Sequence, residues 1–354
     1  MSDASPRMDR PSARCVAAGS LVLGLCALAA CAADGPAANP DREQRDELVR
    51  ARRSASLLED PVGEDGLFAE ADALLEAGEV SGARELYERA AAAGDPRAEL
   101  ALGLLDEGAL GEPRDLEAAI GHLEAAADAG LAEAQYRLGL LLLDAGTPGR
   151  DAAAALRWLE AAARQDDPRA QYALAQLLLR AGDGASLEVG AAWMRSAAEG
   201  GLLEAQHQLG LLLARGRGVE RDEAEAVRWW TRAATAGSRD AAHDLGLAWL
   251  QGRGVLADPT RAAVWMERAA RAGDPRACLR LAAMHEQGVG VARDPVRALA
   301  WYLVGEERAA GGPLGRDARV GRLRVEGGLD AAQREAAREA AAGLRQGPSG
   351  DAGA

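Results

Sequence analysis

Few side chains in this 354-residue sequence combine the type and the spacing that chemistry needs. All 41 basic residues are Arg, and the absence of Lys removes Schiff-base and lysine-nucleophile catalysis. His207 and His243 stand 36 residues apart, and Tyr136 and Tyr172 hold the same position earlier in the chain. Two imidazoles so placed could begin a metal site, but a structural zinc site takes about four ligands. No thiol or carboxylate recurs with them, so the pair reads as amphipathic side chains partly buried on a helix. Cys278 has no base beside it in sequence and reads as a small buried hydrophobe. The series Trp158, Trp193, Trp229, Trp265 and Trp301 invites a reading as a ladder of rings for a sugar or cation. Its helical register assigns it instead to the core. No Ser-His-Asp, His-Glu-x-x-His or paired-carboxylate pattern occurs, so no catalytic residue, metal ligand or cofactor is expected.

One cysteine does stand in a chemical context. Arg7, Arg10 and Arg14 precede an apolar run from Cys15 to Ala30 that is short for a membrane span and ends Leu28-Ala29-Ala30-Cys31. Charge, apolar stretch, small residues and cysteine occur in the order that resembles the bacterial lipobox, in which the thiol is acylated and the preceding peptide removed. A plain signal peptide cut after Ala30 is the alternative. Ala32 after the cysteine resembles the pattern of lipoproteins sent to the outer membrane. The resemblance therefore implies a signal peptide over 1–30, lipid on Cys31 and a periplasmic location at the outer membrane. Residues 31–65, opening Ala-Ala-Asp-Gly-Pro after the cysteine, lack apolar periodicity at first and fit a tether.

The elements that must position everything else announce themselves by repetition. Leu86, His122, Trp158, Trp193, Trp229, Trp265 and Trp301 are separated by 36, 36, 35, 36, 36 and 36 residues. Ala98, Ala134, Ala170, Ala205, Ala241 and Ala277 keep the same steps, which places a single deletion between Ala170 and Trp193. Within each unit the apolar spacing is helical. Asp95-Pro96, Asp167-Pro168 and Asp274-Pro275 open a first helix. Asp115, Asp151, Ser186, Asp222, Asp258 and Asp294 open a second, where a short acceptor satisfies free N–H groups. Between them, Gly216-Arg-Gly218-Val219, Gly252-Arg-Gly254-Val255 and Gly288-Val-Gly290-Val291 permit a positive-φ reversal. With no strand before them and no Lys, these are not phosphate loops.

Composition agrees. Ala and Leu dominate, with one Phe and one Ile, which suits closely packed helices better than sheets. A lone hairpin of such helices cannot bury its faces, so neighbours must stack. The expected fold is all-α: a right-handed superhelical solenoid of antiparallel helix pairs over 66–345, about seven pairs plus a C-terminal capping helix at 329–345. Residues 346–354 read as a disordered tail.

The clearest unit, Ala241 to Gly273, carries Ala-Ala-His-Asp-Leu-Gly, Gly-Arg-Gly-Val and Asp-Pro-Thr-Arg-Ala-Ala-Val-Trp. It resembles the Sel-one-like repeat family, relatives of the tetratricopeptide repeats, and the likeness extends over roughly 66–345. The resemblance implies adaptor work: partner proteins or peptides held on concave and loop surfaces. A rival from another class is an enzyme or binding protein acting on peptidoglycan fragments. The repeated cysteine pairs of the secreted relatives linked to such ligands are missing here.

By register, Glu99, Arg137, Gln171, Gln206, Gln208 and Asp244 are the candidate partner-binding residues on exposed first-helix positions. The formal charge of −14 argues against nucleic acid and favours basic segments rich in Arg or Lys, with no small-molecule substrate expected. Membrane contact is expected only through the lipid. Accordingly, Cys31→Ser should move the protein from the membrane to the soluble fraction on cell fractionation, and unchanged partitioning would refute acylation.

Overall fold

The computed structural model describes residues 65–109, 113–144, 146–147 and 149–345. The expected signal peptide, the tether up to residue 64 and the tail at 346–354 lie outside the described residues. Among the described residues there are sixteen α-helices and no strand, as expected of a helical repeat solenoid. They fall into two compact units divided between Ala181 and Gly182. The first holds α1 (Asp65–Ala77), α2 (Val80–Ala92), α3 (Pro96–Asp106), α4 (Leu116–Asp128), α5 (Ala132–Leu141), α6 (Ala152–Arg164) and α7 (Pro168–Ala181). The second holds α8 (Gly184–Glu199), α9 (Leu203–Arg215), α10 (Glu223–Thr235), α11 (Arg239–Gln251), α12 (Pro259–Arg271), α13 (Pro275–Gln287), α14 (Pro295–Arg308), α15 (Pro313–Glu326) and α16 (Ala331–Arg345).

Caps set the boundaries. Asp95 and Asp274 accept from the N–H of Arg97 and Arg276, and Asp115, Asp151, Asp222, Asp258 and Asp294 cap the second helices. Proline follows at the first position of α3, α12, α13 and α14, where its missing N–H would be unpaired anyway. One expected cap is displaced. Asp183, not Ser186, caps α8, and Ser186 lies buried within the first turn, donating its hydroxyl to Asp183. The shortened unit thus starts its second helix one turn early.

Within each unit, small residues let the helices approach. Ala98, Ala134, Ala205, Ala241 and Ala277 on first helices and Ala126, Ala162, Ala197, Ala233 and Ala269 on second helices are all fully buried. A β-carbon on Gly103, Gly139, Gly210 or Gly246 would come within 3 Å of Leu123, Leu159, Trp230 or Met266 on the paired helix. Those large side chains are buried and fill the gap the glycines leave; each is worth about 1.5–3 kcal/mol relative to exposure. Each second helix also packs on the first helix that follows it, as α4 does on α5 and α12 on α13.

The core position is therefore the residue after the Trp register, not the Trp itself. Trp158, Trp193, Trp229 and Trp265 are only half-buried, because a step of one residue turns a side chain about 100° around the helix. Trp301 is buried, on the helix against which both α15 and α16 pack. The C-terminal end also differs from expectation in having α15 between the last regular pair and the capping helix. Of α16, only Ala337 and Ala341 are buried, as suits a solvent-facing cap.

The Gly-x-Gly-Val turns join layers as well as helices. Gly216, Gly252 and Gly288 take the left-handed conformation that ends α9, α11 and α13. The second glycine of each turn packs on the start of the preceding second helix: a β-carbon on Gly254, at φ +69°, would lie 2.1 Å from the Glu223 carbonyl oxygen. Neither backbone nor turn can yield cheaply there. Gly121, by contrast, sits within α4 with open space around its would-be β-carbon. In urea denaturation Gly254→Ala should lose about 2–4 kcal/mol from strain and overlap, while Gly121→Ala should gain about 0.5–1 kcal/mol. Equal stability of the first variant and the parent would show that the turn does not bear on the layer below.

Candidate functional site

The first helices bring the six sequence candidates to three different environments. Glu99, Gln135, Gln171 and Gln206 share one register position. The carboxamides of Gln135, Gln171 and Gln206 donate to the carbonyls of Ala127, Ala163 and Ala198 at 3.1, 3.2 and 3.2 Å. Each accepting carbonyl belongs to the last turn of the preceding helix, where four such groups lack an intrahelical partner. Gln171 and Gln206 are 4% and 2% exposed. They are therefore not lining residues: their amides are taken by the backbone joint between successive helices. A carboxylate cannot donate to a carbonyl, and Glu99 accepts instead from His122 Nδ1 at 2.7 Å.

Arg137 is likewise engaged, donating to Glu133 at 3.0 Å and Glu107 at 3.3 Å. Gln208 is half-buried. Asp244 accepts from His207 Nε2 at 2.7 Å and from His243 Nδ1 at 3.4 Å, which ties α9 to α11. Burial opposes its ionisation, yet the two histidine hydrogen bonds prevail and hold the carboxyl far below the usual carboxylate range. The paired histidines thus do share a carboxylate, supplied by the neighbour of His243, which their 36-residue spacing did not reveal. Among the described residues no group of three or more His, Cys, Asp or Glu side chains is placed to hold a metal.

Charged residues at the second position of the first helices also cross between layers. Arg169 folds back on Asp167 and reaches Glu133 of the previous layer; Arg276 does the same with Asp274 and with Asp240 at 2.5 Å.

A concave feature of the second unit lies elsewhere, around the α9–α10 turn. A pocket of about 670 Å³ is lined by Leu213, Val219, Glu220, Asp222, Glu223 and Glu225, with Arg195 and Arg221 at the same site. It is an open, mainly polar depression rather than an enclosed cavity. Arg195 pairs with Glu225 at 2.5 Å and Arg221 with Glu223 at 2.6 Å, and each hydrogen bond lowers the carboxyl's proton affinity below the ordinary value. Glu220 and Asp222 add acid without a second arginine. The signal in the sequence was the run Glu220-Arg-Asp-Glu-Ala-Glu225, four acids in six residues, of which only Asp222 was read, as a cap.

Cys278 occupies the Gln206 register position in its own layer and faces the Ala270 carbonyl at 4.0 Å. Burial pushes its thiol up to about 11, against the lowering effect of Arg308. At pH 8 roughly one thiol in a thousand is then ionised. N-ethylmaleimide at pH 8 should leave the Cys278 peptide unlabelled in the native protein and label it in urea, as read by mass spectrometry. Labelling at the same rate in both states would contradict the buried joint.

The repeat pattern seen in this geometry has known relatives. A family model described as Sel1 repeat matches seven segments: 80–95, 96–131, 132–167, 168–202, 203–238, 239–274 and 275–303. A search of curated proteins finds no significant match. Among solved structures, the chain is similar to a protective antigen of uropathogenic Escherichia coli strains that displays an SLR fold. Identity is 29%, the TM-score is 0.64, and the match covers 75% of this chain and 56% of the antigen. The chain thus spans little more than half the antigen's length. A Sel1 repeat protein from Oxalobacter formigenes is 25% identical with a TM-score of 0.58, covering 68% of this chain and 96% of that one. With matched segments running through residues 80–303, more than half of the sequence, the chain belongs to the Sel1 repeat family.

Proposed function

We propose that this protein is a scaffold of the cell envelope, anchored to the periplasmic face of the outer membrane by lipid on Cys31, that gathers partner proteins or peptides on its repeats. Sel1 repeat proteins are in general protein–protein interaction scaffolds. The N-terminal order of charge, apolar run, small residues and cysteine supports the anchor. The observation that carries the binding role is the acidic pocket at the α9–α10 turn: Val219 beside Glu220 and Asp222, the two acids of the pocket that form no ion pair with an arginine among the described residues, suits the stem and charge of an Arg or Lys side chain from an extended segment. The six residues chosen by register are mostly engaged within the fold, which moves the proposed contact from the first-helix faces to this turn.

The test is capture from detergent-solubilised envelope with the full chain and with Glu220→Lys/Glu223→Lys. The parent should recover protein partners, and the double variant should lose at least fivefold of them. Equal recovery would remove the pocket from the contact, and turnover of muropeptides with no protein captured would favour a cell-wall enzyme instead.

A further inference from the structure

The half-buried Trp residues create a second surface of opposite chemistry on α10 and α12. The exposed face of α10 carries Arg228 and Arg232, and that of α12 carries Val264 and Arg268 at the equivalent positions one repeat later. Arg232 lies over the Trp229 ring, 5.6 Å from its centroid, and Arg268 over the Trp265 ring at 4.7 Å. Trp229 is itself fixed by donating its indole N–H to Glu225 at 3.1 Å. The two guanidiniums are thereby plated on aromatic faces in the same way in successive layers.

The carboxylates of these helices are already committed. Glu223 is held by Arg221, Glu225 by Arg195 and Glu267 by Arg271. Arg232 and Arg268 form no ion pair with a carboxylate among the described residues, in a chain whose acids outnumber its arginines 55 to 41. A guanidinium stacked on an indole keeps the edge of its planar fork free for two parallel hydrogen bonds to a carboxylate, with little side-chain freedom left to lose. Val264, 52% exposed, places an apolar contact one helical turn before Arg268.

We infer that this face of α10 and α12 docks an acidic segment of a partner protein, with carboxylates on Arg232 and Arg268 and an apolar side chain at Val264. This inference rests on the scaffold reading and adds to it a second face and the chemistry of its occupant. The net charge of −14 does not forbid it, because at physiological salt fields fade over about 8 Å and a short segment meets only the local face. A long polyanion would instead run onto the acidic remainder of the surface, which disfavours nucleic acid or polyphosphate.

The probe is a fluorescein-labelled twelve-residue peptide of glutamate and leucine, titrated by anisotropy against the full protein. Binding should weaken at least tenfold in Arg232→Gln/Arg268→Gln and by an intermediate factor in Arg232→Lys/Arg268→Lys, which keeps charge but loses the fork. Circular dichroism should be unchanged, since both side chains are exposed. A matched lysine–leucine peptide should bind independently of these substitutions. No binding of the acidic peptide, or equal binding by parent and glutamine variant, would overturn the assignment, as would tighter binding of inorganic polyphosphate. Envelope capture by the same glutamine variant separates the two readings: unchanged recovery of partners together with a failed peptide titration sinks this face and leaves the scaffold standing.

Discussion

In the second unit, a glycine backbone pressed against the first turn of the helix one layer below is the contact on which the stacking of the repeats depends. At Gly218, Gly254 and Gly290 there is no room for a side chain between the turn and the carbonyl beneath it. That contact fixes the height of those three layers, and the glycine-to-large-residue contacts at Gly103, Gly139, Gly210 and Gly246 fix the spacing of helices within pairs. Stability is then shared between nearest neighbours, as expected for an array in which no hairpin hides its own apolar faces.

The same economy of space explains which polar residues are available. Gln135, Gln171 and Gln206 are drawn into the gap between helices because the last-turn carbonyls of one helix need donors and the following helix can supply them. Glu99 cannot serve there and is hydrogen-bonded to His122 instead. Surface for partners is left at the turns and on the outer faces of the second helices. There the charge is sorted: acids gather at the α9–α10 turn, and unpaired arginines lie on α10 and α12.

Much of the fold was legible in the sequence, because caps, prolines and positive-φ glycines act through the local backbone. Asp95, Asp258 and Gly252 could do little else at their positions. The candidate site was less legible, and for a geometric reason. Register says which positions are equivalent, not whether they face out, and on a first helix wedged between two second helices little faces out. Gln171 was misjudged on that account, and Trp229 by one residue's rotation in the other direction. Asp183 displaced Ser186 as a cap because the deletion altered the turn that register presumes constant. Helix α15 was missed because its sequence, Pro-Leu-Gly-Arg-Asp-Ala-Arg-Val-Gly-Arg-Leu-Arg-Val-Glu, lacks the repeat's alanines.

The charged position at the start of the first helices has an evolutionary corollary. It reads Arg97, Glu133, Arg169, Glu204, Asp240 and Arg276, with pairs formed between 133 and 169 and between 240 and 276. Glu133 is 2% exposed and is shared by Arg137 of its own helix and Arg169 of the next layer, so a cassette lacking Arg169 placed after it would take one of two partners from a buried anion. The modules are alike in shape yet not interchangeable in order. Duplication of single modules would set like charges against each other at this position, and growth of the array would favour copying oppositely charged neighbours together.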